Sequence, residues 1–330
     1  MAVHSVVCAR LIGTLLLALI STGGQAATVF GSIFTDPGKL VRIDTTSHTV
    51  TPILTTGSDP DSLIFDTSGR LIYTVFGANQ VRRFDPATSS DTLISGGFSG
   101  PLDLALEPGG QTVLVSNNTG VRIDRLNLST GVTTPFFTNG GGGGITYDTS
   151  GRLFAVIPGL LVQLDPVTAA VLQTTPGVIT LDGLAFDPVT GSLYATDGEG
   201  GHIFRFNPNN LAAGGQLLAT LIPSGGFVDG LEADGAGNLL VAARVLGNEA
   251  LSGLFQVNDV TGAFTQIAFA PLLDDIAPLK GLGAPPPGGV VGGGTAAVTP
   301  VPTLAQTSLA GLVLLILAVG LWRVRRGGRA

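Results

Sequence analysis

Apolar and polar residues alternate along most of the middle of this chain. In "SLYAT" and "HIFRF", residues 192–196 and 202–206, the alternation has period two. That period belongs to a β-strand with one buried face. Two stretches break the pattern: "LIGTLLLALI" near the start and residues 304–322 near the end are apolar without alternation.

The alternating runs recur. Six of them end in Asp or Asn before a turn: "LVRIDTTS", "VRRFDPAT", "IDRLNLST", "LVQLDPVT", "IFRFNPNN" and "LFQVNDVT". Their markers are Asp44, Asp85, Asn127, Asp165, Asn207 and Asn258. A second series closes on a Gly turn and is marked by Asp66, Glu107, Asp148, Asp187 and Asp234. Both series return roughly every forty residues, and each unit has room for four short strands, which is the arithmetic of a propeller blade. The expected fold is all-β: a six-bladed β-propeller of four-stranded antiparallel blades over residues 27–283. The first unit lacks its innermost strand. The segment "DDIAPLKGL", residues 274–282, falls where another innermost strand would begin. It is predicted to close the ring by pairing with the N-terminal strands, which removes two open sheet edges.

The ends read differently. Residues 1–26 combine Arg10, a short apolar core and small residues up to Ala26, the pattern of a secretory signal peptide. The single cysteine, Cys8, lies inside it. An exported chain would then carry no thiol, which excludes disulfides, Cys-ligated zinc and a cysteine nucleophile. Residues 284–303 have the Pro/Gly composition of a linker. Residues 304–322 are long enough to span a bilayer as one transmembrane helix. Arg323, Arg325, Arg326 and Arg329 follow and place residues 323–330 in the cytoplasm. The expected location is the periplasmic or cell-surface side, tethered to the inner membrane at the C-terminus.

Val301-Pro302-Thr303-Leu304, then a span, then arginines resembles the bacterial C-terminal sorting segments of the IPTL and PEP type. The resemblance implies a sorting enzyme acting at Pro302 and Thr303. Ala305, Gln306 and Thr307 depart from the usual pattern.

Charge sharpens the picture. All 23 acidic residues lie between Asp36 and Asp275, against 11 basic residues in the exported part. Such a surface repels nucleic acid and attracts cations. The acidic residues then sort by face. In an up-and-down blade with strands a to d from the axis outward, the a–b and c–d turns share one face. Asp66, Asp148, Asp187, Asp234, Asp44, Asp85 and Asp165 fall in those turns, where Asp accepts backbone N–H bonds from the following residues. The residue that starts strand a rims the channel on the other face. That position holds Asp61, Leu102, Gly143, Asp182, Asp229 and Asp274. Four carboxylates converging on one axis raise one another's pKa or recruit a cation. Oxygen-only ligation suits Ca²⁺ or Mg²⁺. The b–c and d–a loops on this face supply Asn117, Asp197, Glu199 and His202, together with the "SGGF" pair Phe98 and Phe227. Propeller loops of this kind carry recognition. With only His48 and His202 left after export, and His48 on the far face, the sequence argues against a histidine pair or a Ser-His-Asp triad.

"DGLAFDPVTGSLYATD" and "DGLEADGAGNLLVAA" resemble NHL-type and regucalcin/gluconolactonase-type six-bladed propellers over residues 28–282. In the latter, the Asp of a Pro-Asp-Gly at the rim is a metal ligand and a candidate base. Asp182-Gly183 and Asp229-Gly230 are similar to it, with Leu181 and Val228 in place of Pro. The glutamate ligand of that family has no counterpart, leaving Asp274 or Asp275 to substitute, and its asparagine ligand has none either. Two functions stay open. One is a non-enzymatic binding module for a protein or small-molecule ligand, with a divalent cation at the rim. The other is a metal-dependent lactonase-like hydrolase.

Overall fold

The computed structural model describes residues 28–177, 180–198, 200–222, 226–245 and 249–278. The segments expected to be a signal peptide, linker, sorting motif, transmembrane helix and cytoplasmic tail, and Glu199, lie outside the described residues. Among the described residues no helix is long and apolar enough to cross a membrane.

Among the described residues, twenty-four strands, β1 to β24, build six four-stranded antiparallel sheets. Five blades are continuous in sequence. Their innermost strands are β4 (Pro60–Phe65), β8 (Pro101–Leu106), β12 (Ile145–Tyr147), β16 (Leu184–Asp187) and β20 (Phe227–Ala233). The remaining blade is assembled from both ends of the chain. Its order is β24 (Leu273–Pro278), β1 (Thr28–Ile33), β2 (Lys39–Asp44) and β3 (Thr49–Thr55). Phe30 pairs with Ala277 and Gly31 with Ile276. The ring closure expected from "DDIAPLKGL" is therefore present over residues 273–278.

The core is divided by this architecture. Six buried apolar clusters occur, one at each seam between neighbouring blades. The seam between the first and last blades joins Val29, Val41 and Ile43 to Leu240, Ala242 and Leu254. Each fully buried Val, Leu or Ile contributes roughly 1.5–3 kcal/mol, so the seams hold the ring together. On the outside, His48 Nδ1 lies 2.6 Å from the carbonyl of Ile267 on β23 (Phe264–Phe269), the outer strand of the last blade. His48→Ala should cost about 0.5–1.5 kcal/mol in urea unfolding. An unchanged midpoint would mean that the apolar cluster holds this seam without the histidine.

The repeated turn residues serve the turns. Asp66 Oδ1 accepts from the N–H of Ser68 and of Arg70, and Asp148 does the same with Ser150 and Arg152. Asp44 and Asp165 each cap two backbone N–H groups of their c–d turns. Asn127 and Asn258 do so in their blades.

Four innermost strands carry one extra residue near the mouth of the channel. The register against the second strand shifts between Pro60 and Leu63, between Pro101 and Asp103, and between Val228 and Leu231. In the blade built from both ends the shift lies between Gly31 and Ile33, opposite Ile276 and Leu273. A bulge bends the strand and re-aims its side chains. Asp61, Asp229 and Asp274 all sit within these bulges.

Candidate functional site: the mouth of the central channel

The six innermost strands enclose a cavity of about 300 Å³. Its acidic lining is Asp61, Asp103, Asp182, Asp229, Glu232 and Asp275. Apolar side chains such as Leu63, Leu104, Leu184 and Leu231 line the rest. Asp274 is buried behind this lining, 1 % exposed.

Of the four expected rim carboxylates, Asp61, Asp182 and Asp229 line the cavity, while Asp229 and Asp274 meet at a residue that the repeat pattern did not single out. Arg244 is the last residue of β21 (Asn238–Arg244), the second strand of its blade. Its Nη2 donates to Asp229 Oδ2 at 3.0 Å. Its Nη1 lies 2.7 Å from Asp274 Oδ1. This second contact is an ion pair only, because no N–H is aligned with that oxygen. The guanidinium is also stacked: its central carbon is 4.9 Å from the ring centroid of Phe227 and 5.0 Å from that of Phe34. Phe34 in turn meets Phe76 edge-on, with centroids 6.2 Å apart. Burial alone would pull the Arg244 pKa down, but Asp274, Asp229, Asp61 and Asp182 push it above its ordinary value. The group stays a cation. Its partners respond to the same crowding. Asp61 is raised well above the ordinary carboxylate value by burial, then by Asp274, Asp229 and Asp182. Asp274 is raised by burial and by Asp229, with Arg244 opposing.

Two more aspartates form a second layer. Asp103 Oδ1 accepts from Ser62 Oγ in the preceding blade and from the Leu104 N–H, each at 2.7 Å, and its Oδ2 accepts from Ile145 N–H in the next blade, also at 2.7 Å. Asp275 accepts from Ile276 N–H and, across the seam, from Leu63 N–H. These carboxylates staple neighbouring inner strands. Burial pushes Asp103 up to about 6 against the pull of its three donors. It raises Asp275 well above the ordinary value, with the Asp103 charge adding to the effect.

At the equivalent position two other blades carry Gly183 and Gly230. A Cβ on Gly183 would lie 2.2 Å from the Asp229 carbonyl oxygen, and one on Gly230 would meet the Asp275 carboxylate and Cα. The Asp-Gly dipeptides therefore have a packing cause: the inner strands approach too closely there for any side chain.

The loop residues separate into two kinds. Asn117 is corrected by the structure. It is 0 % exposed, its amide donates to Val115, Arg122 and Asp124, and its oxygen accepts from Ser99 N–H. It cannot reach a ligand, because its donors and its acceptor are spent inside the blade. Asp197 folds its own loop, accepting from Gly200 and His202 N–H at 3.0 Å each. Its other oxygen lies 2.5 Å from His202 Nδ1. His202 keeps a third of its side chain exposed beside the mouth. Asp182 lies against the same loop: a Cβ on Gly198 would sit 2.9 Å from its Oδ2. Phe98, from the other "SGGF" segment, is 5 % exposed and packs into a seam.

A divalent cation does not fit this donor set. Among the described residues no three His, Cys, Asp or Glu side chains are gathered to hold a metal. Asp229 and Asp274 are engaged by a guanidinium, and Asp103 and Asp275 by backbone N–H groups. Of the carboxylates expected to form a Ca²⁺ or Mg²⁺ site, Asp61, Asp182, Asp229 and Asp274, two are bridged by Arg244 in this structure: Asp229 and Asp274.

Comparison with known proteins yields the fold. No protein-family profile and no curated protein matches the chain. Among solved structures it is similar to a chain of the nidogen/laminin complex, with TM-score 0.61 and 16 % identity over 76 % of this chain and 98 % of that one. It is similar to a protein of unknown function from Bacteroides caccae, with TM-score 0.55 and 14 % identity over 77 % and 98 % of the two chains. A gluconolactonase from Xanthomonas campestris shares the architecture at TM-score 0.51 and 13 % identity, over 64 % of this chain and 77 % of that one. At these identities the likeness is one of six-bladed architecture, and the chemistry must be argued from the mouth itself.

Proposed function

We propose that the chain is an exported, membrane-tethered binding module that engages a protein or small-molecule partner through the b–c/d–a face of its propeller. The observation that carries this reading is the composition of the channel mouth. Phe34, Phe76 and Phe227 are half-buried there around a stacked arginine. Aromatic residues and arginine are the side chains that dominate recognition surfaces. Among the described residues the mouth gathers no three side chains able to hold a metal, which weighs against the lactonase-like reading. Residues 304–322 supply the tether in this account, with Pro302 and Thr303 as the point at which a sorting enzyme would act.

The test compares faces. A photo-crosslinking residue is placed at Phe76 on the mouth and at Val167, which is 77 % exposed in a c–d turn on the opposite face. Full-length chain in its host membrane should give a discrete adduct from position 76 and none from position 167. Adducts from 167 alone would put recognition on the wrong face. A parallel assay with δ-gluconolactone should show the uncatalysed rate with and without Ca²⁺, and cation-dependent turnover would restore the hydrolase reading.

A further inference from the structure

We infer that the a–b/c–d turn face of the propeller lies against the lipid surface and that the channel mouth points away from it, given the tether at residues 304–322 proposed above. The topology decides where that tether leaves the domain. Thr28 pairs with Asp44, which opens a c–d turn, and Pro278 pairs with Val29. β24 therefore runs from the mouth, at Asp274, to the turn face, and the chain leaves the described blade on that face. Because β24 is the innermost strand of its blade, the exit lies beside the channel axis. Residues 279–303 separate it from the expected span. A coil of that length covers about 25–30 Å. A blade of four strands is roughly 15 Å wide, and a six-residue strand such as β24 is about 20 Å long. A tether that turned the mouth toward the bilayer would have to cover both distances, about 35 Å, before it met lipid. From the turn face lipid is reached directly.

The two faces carry matching chemistry. On the turn face, Val132, Val167, Val189 and Val260 are all exposed. They belong to four consecutive blades, and each lies in an a–b or c–d turn. One exposed valine is ordinary on a protein surface. A set of them at the tips of one face forms an apolar layer that a bilayer interface can cover. The acids of this face are also neutralised locally. Arg70 pairs with Asp66 at 2.8 Å, Arg125 with Glu107 at 2.8 Å and Arg152 with Asp148 at 2.6 Å. The mouth is the opposite case. Six carboxylate side chains line its cavity, where no basic side chain joins them among the described residues, and Arg244 supplies one positive charge at the rim. An anionic bilayer repels such a face. The partner of the mouth is therefore met from the aqueous side, away from the anchoring membrane.

The experiment reads lipid proximity on the full chain carrying Cys8→Ser. The protein is reconstituted in vesicles of three parts phosphatidylcholine to one of phosphatidylglycerol, with a nitroxide on a fraction of the phosphatidylcholine headgroups. A bimane label is attached at Val260→Cys on the turn face, or at Leu251→Cys, which is exposed in the loop that follows β21 on the mouth face. Val189→Cys serves as a second turn position, so that one disturbed turn does not decide the result. The nitroxide should quench the label at 260 and at 189 several-fold more than the label at 251. Equal quenching on both faces, or stronger quenching at 251, in protein that floats with the vesicles would overturn the orientation and leave the tether standing. A chain that does not float with the vesicles would overturn the tether and the orientation together. Failure of the crosslinking test at Phe76 would leave these readings unaffected.

Discussion

Arg244→Ala should destabilise the propeller by about 3–5 kcal/mol, the usual cost of removing one partner from a buried charge cluster. At roughly 2–4 °C per kcal/mol for a domain of this size, the melting temperature should fall by on the order of 10 °C. The physical cause lies in what remains. Asp229 and Asp274 lose the guanidinium that bridges them, and Phe34 and Phe227 lose the flat group packed between them. Arg244→Lys should recover only part of the loss. An ammonium is a compact charge that cannot reach both carboxylates and fill the stack together. A variant within about 1 kcal/mol of wild type, the usual worth of an exposed pair, would mean that the cluster is solvated in practice.

Mild acid should stabilise this protein. Asp103 has its pKa raised from 3.8 to about 6 by burial. The folded state therefore binds a proton that the unfolded state releases between those values. Stability from this group is fully present below pH 3.8 and is lost as the pH rises through about 6. A shift of this size corresponds to about 3 kcal/mol. Asp61, Asp274 and Asp275 are displaced in the same direction and extend the loss to higher pH. The turn aspartates Asp44, Asp165 and Asp187 act oppositely, since turn hydrogen bonds hold their pKa values below the ordinary one. Their contribution disappears only at more acid pH, so the two effects occupy separate windows. Urea midpoints should fall between pH 4 and pH 7 in wild type, and the slope should flatten in Asp103→Asn. That variant should also be less stable at every pH, because an amide N–H would face the Ile145 N–H that the carboxylate now accepts. A wild-type profile that rises over the same interval would contradict the assignment.

Most of the fold was legible because a propeller repeats its sequence along with its structure. The Asp and Asn turn markers return with each blade, and the missing innermost strand at one end matched a surplus one at the other. The four carboxylates around the axis were legible for the same reason: a shared register puts Asp61, Asp182, Asp229 and Asp274 at the same place in their blades. What was not legible depends on contacts between blades. Arg244 ends "NLLVAAR" as one basic residue in an otherwise apolar strand. That oddity is the signal that could have found it, but its partners come from three other segments of the chain. Asp103 was missed because a strand read with period two does not reveal a bulge. The extra residue in its inner strand places a second position beside Leu102 at the channel. Asn117 was misread in the opposite sense. It sits at the edge of a loop in sequence but turns inward to hold Ser99 and Asp124. The glycines of Asp182-Gly183 and Asp229-Gly230 resembled a ligand motif, whereas close strand approach accounts for them.

The central claim is that an arginine, and not a metal ion, neutralises the carboxylates at the axis. Anomalous diffraction from crystals of the protein soaked in MnCl₂ tests it most directly. The account predicts no manganese peak among Asp61, Asp182, Asp229 and Asp274, with the Arg244 guanidinium in density between Asp229 and Asp274. A manganese peak bonded to Asp182 and Asp229, with Arg244 swung out of the mouth, would contradict it.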